Sequence, residues 1–416
     1  TKKGYLDMKK TKLALAIAAS AMISSPVLAT NGTNMVGLGA QSAAMGGTGV
    51  AAFYGAENVV VNPGLIGKAT GSEFAFGGTI FMPNVTNDAS GAGEETSSAN
   101  MNLIPSVSLA SRINDQLTFG IGMYGTSGMG VDYSDSAFHM EAQSNMQIMR
   151  FVPTLAFNQS NFGIGISPII QYGSLDINYN ADMDPITAGA QPGNVGKGMA
   201  SDLGMGFSIG GYFDITNELT IAAAYTSAIK MKYDGQLSSA SQPFADFGML
   251  TSAFGDELTQ PAELKLGAAY VMGNMLYTAD FKQIAWSSAE GYKDFGWEDQ
   301  NVISLGAKYS TKKYWAGVGF NSGNNPIKEQ SALTAHGQTV NFFNNLFFPA
   351  TTETHISVGG GYSLTSNLTL EGAVVMAPEV KTTVTGPDLA GGSPAGAANT
   401  TTHSQMGYTI TARYNF

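Results

Sequence analysis

The residues of this chain that could do chemistry are few. There is no Cys among its 416 residues, which removes thiolate metal sites, disulfides and a thiol nucleophile together. Four His stand at 139, 336, 355 and 403, too far apart for metal-ligand spacing. Asp176-x-Asn178-x-Asn180-x-Asp182-x-Asp184 has the oxygen-ligand rhythm of a calcium loop. It carries Ala181 where such a loop turns on Gly and Thr187 where it closes on Glu, so a solvated polar loop is expected, with no metal and no cofactor. His355 is the one His read on a strand, with Ser357 on the same face; a hydrolase would need that pair within reach of each other and of substrate. Two cations, Arg150 and Lys282, could hold a carboxylate by charge-assisted hydrogen bonds, or could be held themselves by Asp280 or Glu371. The apolar groups are more telling. Phe244, Phe247, Leu250, Phe254 and Leu258 recur every three or four residues, which predicts one face of a helix. Asn341 to Phe348 brings Phe342, Phe343 and Phe347 into a second aromatic cluster. Such surface either docks hydrophobic molecules or packs against another loop.

The elements that must position these groups are strands. Only 12% of residues are charged and 52 are Gly, with a net charge of −11. That excludes disorder and argues against a nucleic-acid partner. From Glu73 onward the pattern has period two, as in Met406, Tyr408, Ile410, Ala412, Tyr414 and Phe416 alternating with Gly407, Thr409, Thr411, Arg413 and Asn415. Fourteen such segments begin near Glu73, Asn100, Gln116, Gln147, Asn161, Gly204, Glu218, Ala262, Met275, Asp299, Lys313, Glu353, Asn367 and Ser404. Their connections alternate between short turns, such as Gly273-Asn274, and long loops, such as Pro83–Ala99, Ser174–Ala200 and Asn321–Thr352. One face carries large apolar and aromatic residues. The other carries Arg112, Arg150, Lys265, Asp280, Lys282, Lys308, Glu371 and Arg413. A sandwich core cannot bury that many charges, whereas a wet lumen can hold them. Even strand number and alternating loop length describe an all-β fold, a 14-stranded antiparallel transmembrane β-barrel, closed because lipid tolerates no unpaired edge.

Residues 1–29 read as an address. Lys9, Lys10 and Lys12, the apolar stretch Leu13 to Ile23 and the small-residue site Val27-Leu28-Ala29 predict a secretory signal behind Met8. Residues 30–72 are small, Gly-rich and nearly uncharged, as suits short helices folded as a plug inside a barrel. Residues 73–416 form the barrel and its loops.

The sequence resembles the FadL/TodX family of outer-membrane transporters for hydrophobic compounds. The resemblance is carried by Gly37-x-Gly39-Ala40-x-Ser42-Ala43-x-x-Gly46-Gly47 and Asn62-Pro63, then by Ala224-Tyr225-Thr226-Ser227, Pro261-Ala262-Glu263-Leu264, Trp286-Ser287-Ser288 and Phe348-Pro349-Ala350-Thr351-Thr352. Gly64 departs from the family's Ala after Asn-Pro. The resemblance implies a barrel with a small N-terminal helical hatch around Gly46, Gly47, Asn62 and Pro63. It implies passive uptake of long-chain fatty acids or aromatic and aliphatic hydrocarbons. Cargo would dock in an apolar loop groove and leave by hatch movement and a lateral opening in the wall. Gly120, Gly122 and Gly125 on the third strand are the candidates for that opening, since Gly weakens a strand; the same residues could instead make room for the hatch. The expected partners are hydrophobic small molecules, outer-membrane lipid and lipopolysaccharide, and the barrel-assembly machinery reading Phe416. The expected state is a monomer in the outer membrane of a Gram-negative bacterium. A general diffusion porin and a surface receptor or adhesin are the competing functions.

Overall fold

The computed structural model describes residues 30–89, 93–181, 193–388 and 393–416. Fourteen long strands follow one another: β1 Ser72–Ala89, β2 Asn102–Arg112, β3 Leu117–Asp132, β4 Gln143–Gln159, β5 Phe162–Asn180, β6 Ala200–Asp214 and β7 Leu219–Thr226. Then come β8 Glu263–Met272, β9 Met275–Ile284, β10 Gln300–Ser310, β11 Tyr314–Gly323, β12 Thr354–Ser363, β13 Leu368–Gly386 and β14 Ala397–Asn415. Each pairs antiparallel with its sequence neighbours, and β14 returns to β1 from Asn399↔Ala89 to Asn415↔Glu73. The sheet is therefore closed into a cylinder, with no unpaired first or last strand.

The alternation on each strand sorts its side chains. On β6, Leu203, Met205, Phe207 and Ile209 point outward, and Met205 is 79% exposed. Between them, Ser208 is 1% exposed, and a Cβ on Gly204 or Gly210 would strike interior groups. Short turns join the strands at one end. Gly273 has φ +60 in the two-residue turn to Asn274, a conformation that favours Gly.

Three strands begin earlier than their hydropathy predicts: β4 at Gln143, β6 at Ala200 and β14 at Ala397. Their first residues, such as Thr400 to Thr402, are polar on both faces. Backbone pairing continues there, Thr401↔Asn87 and Thr400↔Asp88, beyond the level where lipid demands an apolar outer face. The wall thus stands taller than the apolar band.

Residues 30–71 occupy the lumen. Thr30–Asn31 and Asn34–Met35 form a tight hairpin, followed by α1 (Ala40–Ala44), α2 (Asn58–Val61) and a 3-10 turn, Pro63–Lys68. Small residues let this segment approach the wall. Gly46 (φ +71) lies on the backbone of Phe320, and its N–H donates to Ser357 Oγ at 2.9 Å. Asp280 Oδ2 accepts the N–H groups of Gly49 (2.8 Å) and Val50 (2.9 Å). Asn62 donates to the carbonyls of Val50 (2.8 Å) and Gly211 (3.2 Å), while its Oδ1 accepts Gly64 N–H and starts the 3-10 turn with Pro63. At the turn end of the barrel, Arg413 pairs with Glu57 (2.8 Å) and Glu371 (2.9 Å) and also binds Glu73. Lys68 pairs with Asp214 at 2.6 Å.

Candidate functional site

The long loops meet over the other end of the barrel. Two helices form there: α3 (Leu237–Asp246) and α4 (Ala335–Phe347), the latter capped by Thr334 Oγ1 accepting from Gly337 N–H at 3.1 Å. Phe342, Phe343 and Phe347 all lie on α4 and are buried. The stripe expected to line one helix face does not do so. Only Phe244 lies in α3; the helix ends at Asp246 with Phe247 as its C-cap, after Pro243 and before Gly248 at φ +71. Leu250, Phe254 and Leu258 follow in irregular and extended chain that folds back over the helix. The chain reversal nevertheless gathers Phe244, Leu250, Phe254 and Leu258 into one apolar cluster, which Phe247 does not join. Phe244 meets Phe343 at 5.1 Å between ring centroids, and Phe254 meets Phe295 at 4.5 Å and Phe343 at 6.2 Å. Leu250 and Leu258 are buried, while Phe247 and Phe254 are half-buried.

Sequence reasoning missed the aromatic layer beneath. Trp286, Tyr292 and Trp297 stand within 4.6–4.8 Å of one another. Trp297 Nε1 donates to Asn344 Oδ1 of α4 at 3.0 Å. Trp286 lies under the lumenal hairpin, where a Cβ on Gly32 would meet its ring. The density of aromatics from 286 to 297 was the available signal.

Inside the barrel, Arg150 and Lys282 line one small cavity of about 60 Å³ with Lys265, Glu263 and Asp280. Arg150 Nε donates to Gln171 Oε1 at 2.8 Å. Lys265 pairs with Glu263 at 3.0 Å. Asp280 is taken up by the backbone of Gly49 and Val50, and Glu371 by Arg413, so neither holds Arg150 or Lys282. Among the described residues Lys282 forms no ion pair. Three cations thus face two carboxylates. Asn34 of the hairpin donates to Glu263 Oε1 at 3.3 Å and accepts the Ser127 hydroxyl of β3.

The wall beside this cavity is broken. Pairing of β2 with β3 runs from Arg112↔Thr118 to Ser106↔Tyr124 and stops, although both strands continue. β3 shifts register on β4 between Gly125 and Ser127. There the lumenal hairpin substitutes for the missing neighbour, Gly128 N–H donating to Thr33 O at 3.1 Å. Beyond the gap, Ser98 N–H bonds Asp132 O at 2.8 Å and closes the far side. Of the three glycines, only Gly125 borders the break. Gly120 and Gly122 sit where β2 and β3 are still paired, and a Cβ on either would meet Val59. A cavity of about 490 Å³ fills the gap and reaches from Gly32 and Met146 inside to Met101 and Leu103 on the outer face.

The remaining polar candidates are structural. Ser357 Oγ donates to Ala44 O at 3.0 Å and accepts from Gly46, so it is spent on the lumenal segment. His355 Nδ1 bonds Asn321 Oδ1 at 2.7 Å. His403 also lies on a strand, β14, contrary to the hydropathy reading, because that strand starts seven residues earlier than Ser404. His139, in a loop turn, bonds Ser136 Oγ and Asn87 O, both at 2.8 Å, and burial holds its pKa below the usual value. Of the calcium-like loop, Asp176 and Asn178 belong to β5; Asp182, Asp184 and Thr187 lie outside the described residues.

Comparison with known proteins agrees with this geometry. Residues 15–416 match the family described as outer membrane protein transport protein (OMPP1/FadL/TodX). The Pseudomonas putida toluene transporter TodX has a similar structure, with a TM-score of 0.69 at 17% identity, over 92% of this chain and 99% of that one. A Pseudomonas aeruginosa FadL homologue gives 0.66 at 16% identity, over 94% and 100%. The Ralstonia pickettii toluene transporter TbuX gives 0.63 at 17%, over 92% and 99%. A 75-residue stretch is 40% identical to a Chlorobium limicola protein described as uncharacterized, from the phosphoenolpyruvate carboxykinase gene 5′ region. It covers 18% of this chain, and the chain spans 37% of that relative's length.

Proposed function

The chain belongs to the OMPP1/FadL/TodX family of outer membrane transport proteins, and from that premise we propose that it is a passive channel for hydrophobic small molecules. Cargo enters at the half-buried Phe247 and Phe254, crosses the loop aromatics, and reaches the cavity beneath the lumenal hairpin. It leaves sideways through the gap between β2 and β3, into the lipid, with the hairpin withdrawing from Gly128. The observation that carries this reading is the 490 Å³ cavity, which is lined by residues of both faces of the wall, Leu103 and Ile104 among them. A sealed barrel has no need of such a gap, and a soluble solute would gain nothing from an exit into lipid. The net positive charge around Arg150, Lys265 and Lys282 favours cargo with an acidic head, such as a long-chain fatty acid.

The test is to fill the gap. Gly128 lies on its edge, where a Cβ meets one atom closely, Met146 O at 3.2 Å, so the β4 backbone must give by a few tenths of an ångström to admit a side chain. Gly128→Trp is expected to abolish uptake of radiolabelled palmitate and dodecane in cells while the barrel keeps its heat-modifiable gel mobility. Uptake at the wild-type rate by the folded variant would place the exit elsewhere.

A further inference from the structure

The side chains around the gap are unusual in kind. Methionine makes up 20 of the 416 residues, yet five line this one cavity: Met35, Met101, Met129, Met146 and Met149. They come from the lumenal hairpin, the approach to β2, and strands β3 and β4. They are graded across the wall. Met146 is buried inside, where Tyr292 OH donates to its sulfur at 3.6 Å; Met35, Met129 and Met149 are half-buried; Met101 is 65% exposed on the outer side. Three of the five occupy positions on the barrel strands β3 and β4, where β-branched residues suit the pleated backbone better. Strand stability therefore does not explain the choice. A thioether chain is unbranched, turns about three bonds and is polarizable, so it fills irregular space and adapts to varied partners.

We propose that this methionine frame sets the specificity of the channel by making its exit tolerant of cargo shape. It passes rigid polycyclic hydrophobes beside flexible linear ones, because the wall of the passage and not the cargo does the bending. A frame of branched side chains would hold a fixed outline and pass the linear molecule alone. This inference rests on the transport reading above and adds the cargo class to it.

The experiment compares uptake of phenanthrene and dodecane, both radiolabelled, by cells carrying the full chain. Met129→Ile, Met146→Ile and Met149→Ile are combined to stiffen the frame at similar volume. The phenanthrene-to-dodecane ratio is expected to fall about tenfold, the discrimination that one misfit methylene gives in an apolar pocket. The corresponding triple Met→Leu variant, a gentler change of shape, should fall between and serves if the isoleucine variant does not fold. An unchanged ratio in a folded variant overturns the proposal. If wild-type cells take up neither probe above the vector control, the transport reading itself fails and this inference falls with it.

Discussion

Arg413 of the last strand grips Glu57 of the lumenal segment with both arms of its guanidinium, Nη1 to Oε2 at 2.9 Å and Nη2 to Oε1 at 2.8 Å. The same guanidinium also serves Glu73 and Glu371, so the two possible disruptions are unequal. Glu57→Ala removes the two-armed contact but leaves Nη1 on Glu73 and Nη2 on Glu371. Arg413→Ala leaves three carboxylates facing one another without the one cation that binds them all, and removing one partner of a buried pair costs about 3–5 kcal/mol. Single-channel conductance in planar bilayers is expected to rise strongly in Arg413→Ala and slightly in Glu57→Ala. Equal conductance in both variants and wild type would show that the pair does not hold the segment in place.

The loop cluster predicts a transport phenotype with the barrel intact. Phe247 and Phe254 are the members of the stripe still half-open to solvent, so they offer first contact to cargo. Burying one Phe is worth roughly 1.5–3 kcal/mol, so losing two contacts should weaken uptake about 10²-fold. Phe247→Ser with Phe254→Ser should therefore import hydrophobic probes poorly while its gel mobility remains heat-modifiable. Import at wild-type rates would reduce the cluster to loop packing.

The charged cavity predicts selectivity between acids and hydrocarbons. Lys282→Met keeps the stem and removes a charge that no described carboxylate pairs. A charge-assisted hydrogen bond contributes about 1.5–3 kcal/mol, so palmitate uptake should fall about tenfold or more with dodecane uptake unchanged. A parallel fall in both would assign Lys282 to holding the lumen together.

A pH dependence follows from His139 in the loop turn after β3. Burial lowers its pKa in the folded loop, so folding favours the neutral ring bonded to Ser136 and Asn87. The stabilisation is full above the unfolded value of about 6.5 and is lost as pH falls below it toward the folded value. Hydrogen exchange of residues 133–142 should therefore quicken between pH 7 and pH 5, and less so in His139→Asn. Exchange independent of pH, once corrected for its intrinsic rate, would remove the ring from this role.

The strands were legible because lipid imposes a strict rule: Leu203, Met205, Phe207 and Ile209 must alternate with whatever faces inward. Above the lipid the rule lapses, which is why Thr400 to Thr402 read as loop while pairing as strand. The site was less legible for two physical reasons. Helical spacing in Phe244 to Leu258 is a local signal, and Gly248 reverses the chain before the helix can use it. The partnership of Asn34 with Ser127 and Glu263 is wholly non-local, and no spacing encodes it. Gly120, Gly122 and Gly125 look alike in sequence; only the position of Val59 and the end of strand pairing separate them.

The closure of β14 on β1 has a consequence for biogenesis. Those strands carry Arg413 and Glu73, and the segment they clasp through Glu57 precedes both in the chain. The stopper is synthesised before any strand exists, yet its fastening is complete only when the final strand joins the first. A barrel still open at that seam holds its stopper through wall residues such as Ser357, Asp280, Gly211 and Asp214. The step that closes the cylinder is thus also the one that brings the last of the stopper's carboxylate partners, Glu73, and its guanidinium, Arg413, side by side.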